Sequence, residues 1–355
     1  MVVNTDVTEH RLFKASSCPL GGQDGSGRVS GEFPERVSGP VQYGASVRSL
    51  ASTLYAYGCV SYDRCSKIMR GLMGVSISPG TVASMVAGLA EDVEPSLDSI
   101  RHGLTNGSSC HFDETVVDLG GGRAYVINAS SSLLTYQTVS LTRSIEGLRS
   151  NGVVQDFRGT AIHDCYSGYW GLFESHAVCC VHIIRELKGI MDLEPEHSWP
   201  RLFLIFLRDM KKARDNALEG GQNALPAGVL EEFDQRYDRI MNLAGRECPE
   251  TIQVSARKSC KNVGKERALV SRLARRKAAV CMFAHDFSVD FDNNQAERDQ
   301  RYVKTKNKVS GTFRTEKGAR DYVAVMSYVS TSLKHGMSAS EAIERAIRKD
   351  PPIFT

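Results

Sequence analysis

The hydrophobic period changes at Ser108, and no other feature of the sequence restricts the fold as strongly. Upstream, apolar residues recur every three or four positions. Val47, Leu50, Leu54 and Tyr57 form one helical stripe, and Tyr62, Cys65, Ile68, Met69 and Leu72 form another beyond Gly58. After Gly74, Ser78 stands as a helix cap before Pro79, which suits a first helical position. From Ser108 the period falls to two. SSCHFDETVVDL and RAYVINASSS flank Gly120-Gly121-Gly122, a hairpin signal, and LLTYQTVSL gives a third strand. SIEGLRSNG then reads as a helix and GTAIHDCYS as a fourth strand returning beside the first. The expected class is α/β: a sheet domain preceded by a small helical domain.

Residues 1–40 read as a mobile leader, since 15–40 are rich in Gly, Ser and Pro without apolar period. Residues 41–104 make the helical domain, whose two helices around Gly74, with Thr81 and Ser84 opening the second, resemble a DNA-reading helix-turn-helix. Residues 105–335 make the sheet domain, interrupted by a mainly helical block at 171–285, and residues 336–355 form a C-terminal tail. In the last helix of that block, read as continuous from Lys265 to Asp286, Leu269, Leu273, Val280 and Phe283 share one side.

No uncharged apolar run of about 18 residues occurs, and MVVNTDVTEHRLFK lacks the apolar stretch of an export signal. A membrane role is therefore excluded, and the cytoplasm is the expected compartment. The ten cysteines are scattered and form no Cys-x-x-Cys pair, which fits reduced thiols. A net charge of +3 names no partner, but its distribution is uneven. Between Ala256 and His285 the basic residues face a single acid, Glu266, and 297–320 is also strongly basic.

Three acids stand in separate polar settings: Asp113 in HFDETVVDLGGG, Asp164 in TAIHDCYSGYW and Glu297 in DFDNNQAERDQR. Two carboxylates about 4 Å apart repel by roughly 4 kcal/mol at an effective dielectric near 20, so converging acids need a cation or a raised pKa. Oxygen ligands without a nitrogen or sulfur cage suit Mg²⁺, which completes its shell with water and substrate phosphate. Glu114 points to the opposite face of a regular strand and is set aside. So are Asp118, near the hairpin, and Asp290.

Five segments in order carry a resemblance: residues 41–86 (VQYGASVRSL through ASMV), HFDET, FRGTAIHDCYSGYW, SHAVCCVHIIREL and DFDNNQAERDQRYVKTKNKVSGTFRTEKGARDY. Together they resemble the insertion-sequence-66 family of bacterial transposases. The resemblance implies a ribonuclease-H-like mixed sheet with a large helical insertion and a DDE triad. Asp113 would lie on the first strand, Asp164 at the end of the fourth, and Glu297 on the helix after the insertion. It further implies Mg²⁺ or Mn²⁺, two ions, cutting transposon ends and joining the freed 3′-hydroxyl to target DNA.

Around that triad, Arg298, Arg301, Lys304, Lys306, Lys308 and Arg314 are expected to hold the DNA backbone. Asn293 and Asn294 are expected to cap the helix carrying Glu297. Cys179-x-x-His182 resembles a motif found after the second Asp in several DDE transposase groups. With His176 it offers three zinc-type ligands without an evident fourth, so packing beside the active site is the favoured role. Against the paired Cys-Pro-x-Cys segment that the resemblance implies, Cys18-Pro19-Leu20-Gly21 has Gly at the second cysteine position, so the expectation is the remnant of a zinc-binding segment in a shortened copy. The partners expected are double-stranded DNA, further copies of the chain on DNA, and accessory proteins of the same element, with the protein on the nucleoid when bound. Two alternatives are a catalytically silent DNA-binding remnant and a ribonuclease-H-like nuclease.

Overall fold

The computed structural model describes residues 5–11, 14–15, 29–30, 32–34, 41–249 and 257–354. Cys18 and the segment read as a zinc-binding remnant lie outside the described residues. Two short strands, β1 (Lys14–Ala15) and β2 (Val29–Ser30), pair antiparallel. Four helices follow: α1 (Ala45–Ala56), α2 (Tyr62–Met73), α3 (Pro79–Asp92) and α4 (Glu94–Thr105). Local chemistry sets their ends. Gly74 closes α2 in a left-handed conformation that glycine adopts without a Cβ penalty, and Ser78 Oγ accepts from Thr81 N at 3.0 Å to open α3.

The hairpin is β3 (Ser109–Leu119) and β4 (Gly122–Ser130), turned through Gly120 and Gly121, both with positive φ. β5 (Thr135–Ser140) pairs with β4. Short helices α5 (Ile145–Arg149) and α6 (Val153–Asp156) lead to β6 (Thr160–His163), which lies beside β3 as expected and runs parallel to it. The block read as helical from residue 171 departs from expectation at once. After a 3₁₀ turn at Ser167–Gly171, β7 (Ser175–Val178) adds a fifth, parallel strand, giving the order β5-β4-β3-β6-β7. Four residues are too few to show a period, so the sequence could not announce this strand.

Beyond β7 come α7 (Cys180–Leu193), α8 (Trp199–Glu219), α9 (Ala227–Glu247), α10 (Arg257–Arg275) and α11 (Lys277–His285). The last two were expected to be one helix; the chain breaks at Arg276, whose guanidinium lies 3.6 Å from the Trp170 ring. α12 (Asn294–Asp299), α13 (Arg301–Ser310), α14 (Glu316–Lys334) and α15 (Ala339–Ile347) complete the chain.

Two apolar cores result. One joins α1–α4, the sheet, α14 and α15, with Phe112, Tyr322 and Tyr328 fully buried. The other is built by residues between Ile162 and Phe291, around Trp199, Phe203 and Phe206. Leu269, Leu273, Val280 and Phe283 all point into this second core. The terminal segment is packed rather than loose: α15 lies on α1, and Phe354 is buried against Tyr328. No described helix is long and apolar enough to cross a membrane, and Cys59, Cys65, Cys110, Cys165, Cys179, Cys180, Cys248 and Cys281 are free.

Candidate active site

β3 and β6 bring the first two acids together. Their last paired residues are His111 and Ile162, and Asp113 and Asp164 each lie two residues further on: Asp113 inside β3, which runs on to Leu119 against β4, and Asp164 just past the end of β6. The carboxyl end of a parallel strand, where Asp164 follows β6, is where open α/β sheets present ligand sites. Asp113 is mostly buried, and its pKa is pushed up to about 7. Burial is the main cause, the nearby charges of Glu114 and Asp164 add to it, and Lys304 opposes it.

Asp164 is fixed by its own turn. Its Oδ1 accepts from Tyr166 N at 2.9 Å, and Cys165 takes positive φ. A histidine pair supports that turn. Cys165 N donates to His163 Nδ1 at 3.2 Å, so His163 must donate through Nε2 to His176 Nδ1 at 3.0 Å, and His176 Nε2 to Phe173 O at 3.0 Å. The chain of donors is complete with both rings neutral. Burial holds His163 neutral, pulling its pKa down to about 3, and lowers His176 as well.

Glu114 follows the pleat to the other face, as the strand geometry required. There it accepts from Tyr169 Oη and from Arg143, whose Nε lies 2.7 Å from Oε1. Arg143 also stacks on Tyr166 at 3.6 Å, so this face braces the loop behind Asp164. Asp118 is engaged by Asn307 Nδ2 at 3.1 Å.

The third acid arrives on α12, and hydrogen bonds to the sheet place that helix. Asn293 Nδ2 donates to Phe112 O at 2.9 Å, which turns Oδ1 toward His111 Nδ1, also at 2.9 Å. His111 in turn reaches Asp290 Oδ2 at 3.0 Å through Nε2 and holds that carboxyl below its usual range. This corrects the expected cap: Asn293 occupies the cap position but its side chain bonds β3, while Asp292 Oδ1 accepts from Asn294 N at 2.9 Å. A buried polar layer continues beneath the helix. Gln137 donates to Asn128 Oδ1 and to Asp299 O, and Lys334 bonds Asp299 at 2.8 Å.

The insertion grips the same segment. Cys180 N donates to Phe291 O at 3.0 Å and Asn293 N to Cys179 Sγ at 3.2 Å, while His182 Nε2 lies 3.5 Å from Glu297 Oε1. Burial pushes the Cys179 thiol up to about 11, which favours the protonated group over a thiolate ligand. His176 spends both nitrogens elsewhere, so His176, Cys179 and His182 do not form a zinc set. Among the described residues, no cluster of three or more His, Cys, Asp or Glu side chains stands ready around one point. The carboxylate donors nonetheless suit a hard cation, because at Asp113 burial and the charges of Glu114 and Asp164 outweigh that of Lys304.

Arg298, Arg301, Lys304, Lys308 and Arg314 are exposed. Lys306 is not, which overturns its expected role on DNA. It is 2% exposed, donates to Tyr55 O and Val60 O at 3.3 and 3.0 Å, and sits 3.4 Å from the centre of the Tyr55 ring. On α13, Lys306 falls on the side that docks against the α1–α2 connection, so helical spacing sends it inward while Lys304 and Lys308 face water.

His111, Arg143, Tyr169, Asp299 and Lys334 escaped the sequence reading. Only His111 carried a local signal, lying two residues before Asp113 and hence on its face. No curated protein matches the sequence. Residues 41–321 match the model of the IS66 family of transposases, from the first helix through the site to α14. The chain belongs to the IS66 transposase family.

Proposed function

We propose that the chain is a DNA transposase with a ribonuclease-H-like catalytic core spanning residues 105–335, in which Asp113, Asp164 and Glu297 hold divalent metal and the transposon ends are cut. The observation that carries this reading is the pair of neighbouring aspartates on β3 and just past β6, the first of them raised to about 7 by burial and by the charges beside it. Mg²⁺ or Mn²⁺, as two ions bound there, would supply the missing positive charge and activate water or a 3′-hydroxyl for in-line displacement. The chain's own part is positioning. Asn293 and His111 hold α12 against β3, and the Asp164 turn is held by the neutral histidine pair. Exposed Arg298, Arg301, Lys304, Lys308 and Arg314 hold the phosphate backbone, with Lys304 close enough to Asp113 to oppose its rise.

Transposition joins two ends, so the reading carries an assembly of two or more copies on DNA in the bacterial nucleoid, with or without companion proteins of the element. The N-terminal turn of α3, with Thr81 and Ser84, is the proposed DNA-reading element of residues 41–104. Incubation with labelled DNA flanking the gene and Mg²⁺ tests the proposal. Nicking at the element ends is expected, with Asp113→Asn, Asp164→Asn and Glu297→Gln each abolishing it while DNA binding survives. A shifted but uncut band from the unaltered protein would instead favour a silent DNA-binding remnant.

A further inference from the structure

A pocket of about 390 Å³ opens beside α12, formed jointly by the end of α1 and the start of α13. This volume lies within the ~300–1,000 Å³ range of small-ligand sites. Tyr57, Gly58 and Cys59 come from the α1–α2 connection, and Arg298, Arg301 and Tyr302 from the chain directly after Glu297. The two sides are locked together, so the pocket is a fixed feature. Lys306 donates to Tyr55 O and Val60 O, and Ser310 Oγ to Cys59 O, in which Cys59 takes positive φ.

Three properties identify the ligand class. The rings of Tyr57 and Tyr302 lie 5.3 Å apart with planes tilted by 37°, leaving no gap for insertion between them, but Tyr57 is 38% exposed and offers its outer face. Arg298 and Arg301 form no ion pair among the described residues, so both guanidinium charges are unspent. Glu297 precedes Arg298 directly and lies about one helical turn from Arg301. A flat aromatic face with two free cations matches one nucleotide of a single strand, its base stacked and its phosphate held. A fully paired duplex cannot present a base in that way.

We infer that this pocket receives an unpaired nucleotide at or next to the scissile end of the DNA, stacking its base on Tyr57 and seating its phosphate between Arg298 and Arg301. The inference rests on the transposase reading and adds that the protein prefers an opened end. The test uses the full chain with two probes of equal duplex length, one blunt and one bearing a short single-stranded extension with 5-iododeoxyuridine. Ultraviolet cross-linking is expected to map to Tyr57 or Tyr302 with the extended probe alone. Tyr57→Ala is expected to lower affinity for that probe about tenfold, and Tyr57→Phe, which keeps the ring, to restore it. Equal binding of both probes with no cross-link at either tyrosine would overturn the inference and leave the transposase reading standing. Failure of the unaltered protein to bind either probe would overturn both. Because the cross-link is mapped on the unaltered protein, a variant that fails to fold does not rescue the inference.

Discussion

Two mostly buried aspartates, one on β3 and one at the end of α12, are treated in opposite ways. Asp299 ends α12, where Lys334 bonds it at 2.8 Å and Gln295 Nε2 lies 3.0 Å from each of its oxygens. Lys334 spends its remaining donors on Ser131 O and Leu134 O, so this polar layer is closed. Asp113, inside β3, has the charges of Glu114 and Asp164 for neighbours, opposed by the exposed Lys304 and a backbone hydrogen bond from Glu114. A buried acid that exists for structure brings its counter-ion with it. An acid left short of positive charge marks where something from outside is meant to bind.

The sharpest way to break this contrast is to remove the internal partner. Lys334→Met would leave Asp299 buried and unpaired, and should cost about 3–5 kcal/mol in denaturant unfolding. Adding Asp299→Asn to Lys334→Met should recover much of that loss. If Lys334→Met unfolds at the same denaturant concentration as the unaltered protein, the two aspartates are not energetically different and the contrast fails.

Asp113→Asn should act with the opposite sign. Its pKa is raised from an ordinary 3.8 to about 7 in the folded chain, so the native state keeps a proton that the unfolded chain has lost. Stability is therefore highest below pH 4 with respect to this group, declines as pH rises toward 7, and stays reduced above it. Asparagine removes the penalty and should stabilise the metal-free protein at pH 8 by an amount on the order of 2–4 kcal/mol, with little effect at pH 4. Magnesium should raise the melting temperature of the unaltered protein at pH 8 and have a much smaller effect on the variant. Thermal scans at both pH values, with and without Mg²⁺, check all of these outcomes. An Asp113→Asn variant that melts lower at pH 8 would show that the carboxylate is compensated from within.

The contrast also explains what could be read in advance. The hairpin was legible because alternation and a glycine triplet are local signals, and the return of a fourth strand beside the first was read from chain order. β7 was not, since a four-residue buried strand carries no period of its own. The three acids were visible as residues in order, and the elements that carry them lie where expected. What holds α12 in place was hidden. Asn293 looks like a cap in sequence, and only contact with Phe112 O and His111 turns it into a tie to the sheet. The Asp299–Lys334 pair spans 35 residues, and no spacing rule predicts a contact of that kind. Lys306 misled for the same reason: alternating lysines look alike until the helix is docked.

Lys304 and Lys306 give the finest test, because they differ by two positions on one helix and only one has charge to spare. Lys304 is exposed near Asp113, whereas Lys306 is held by two carbonyls and the Tyr55 ring, and burial pulls its pKa down to about 8. A lysine that neutralises one phosphate releases its counter-ions, so Lys304→Ala should lower the slope of log affinity against log salt by roughly 0.9. Lys306→Met should leave that slope unchanged, because its ammonium never reaches DNA. It should instead destabilise the fold by about 1–3 kcal/mol through the stranded carbonyls of Tyr55 and Val60. Duplex titrations at several salt concentrations, paired with denaturant unfolding, separate the two effects. If Lys306→Met lowers the slope while Lys304→Ala does not, the assignment of spent and available charge along α13 is reversed. The phosphate path past Glu297 would then have to run on the other side of the helix.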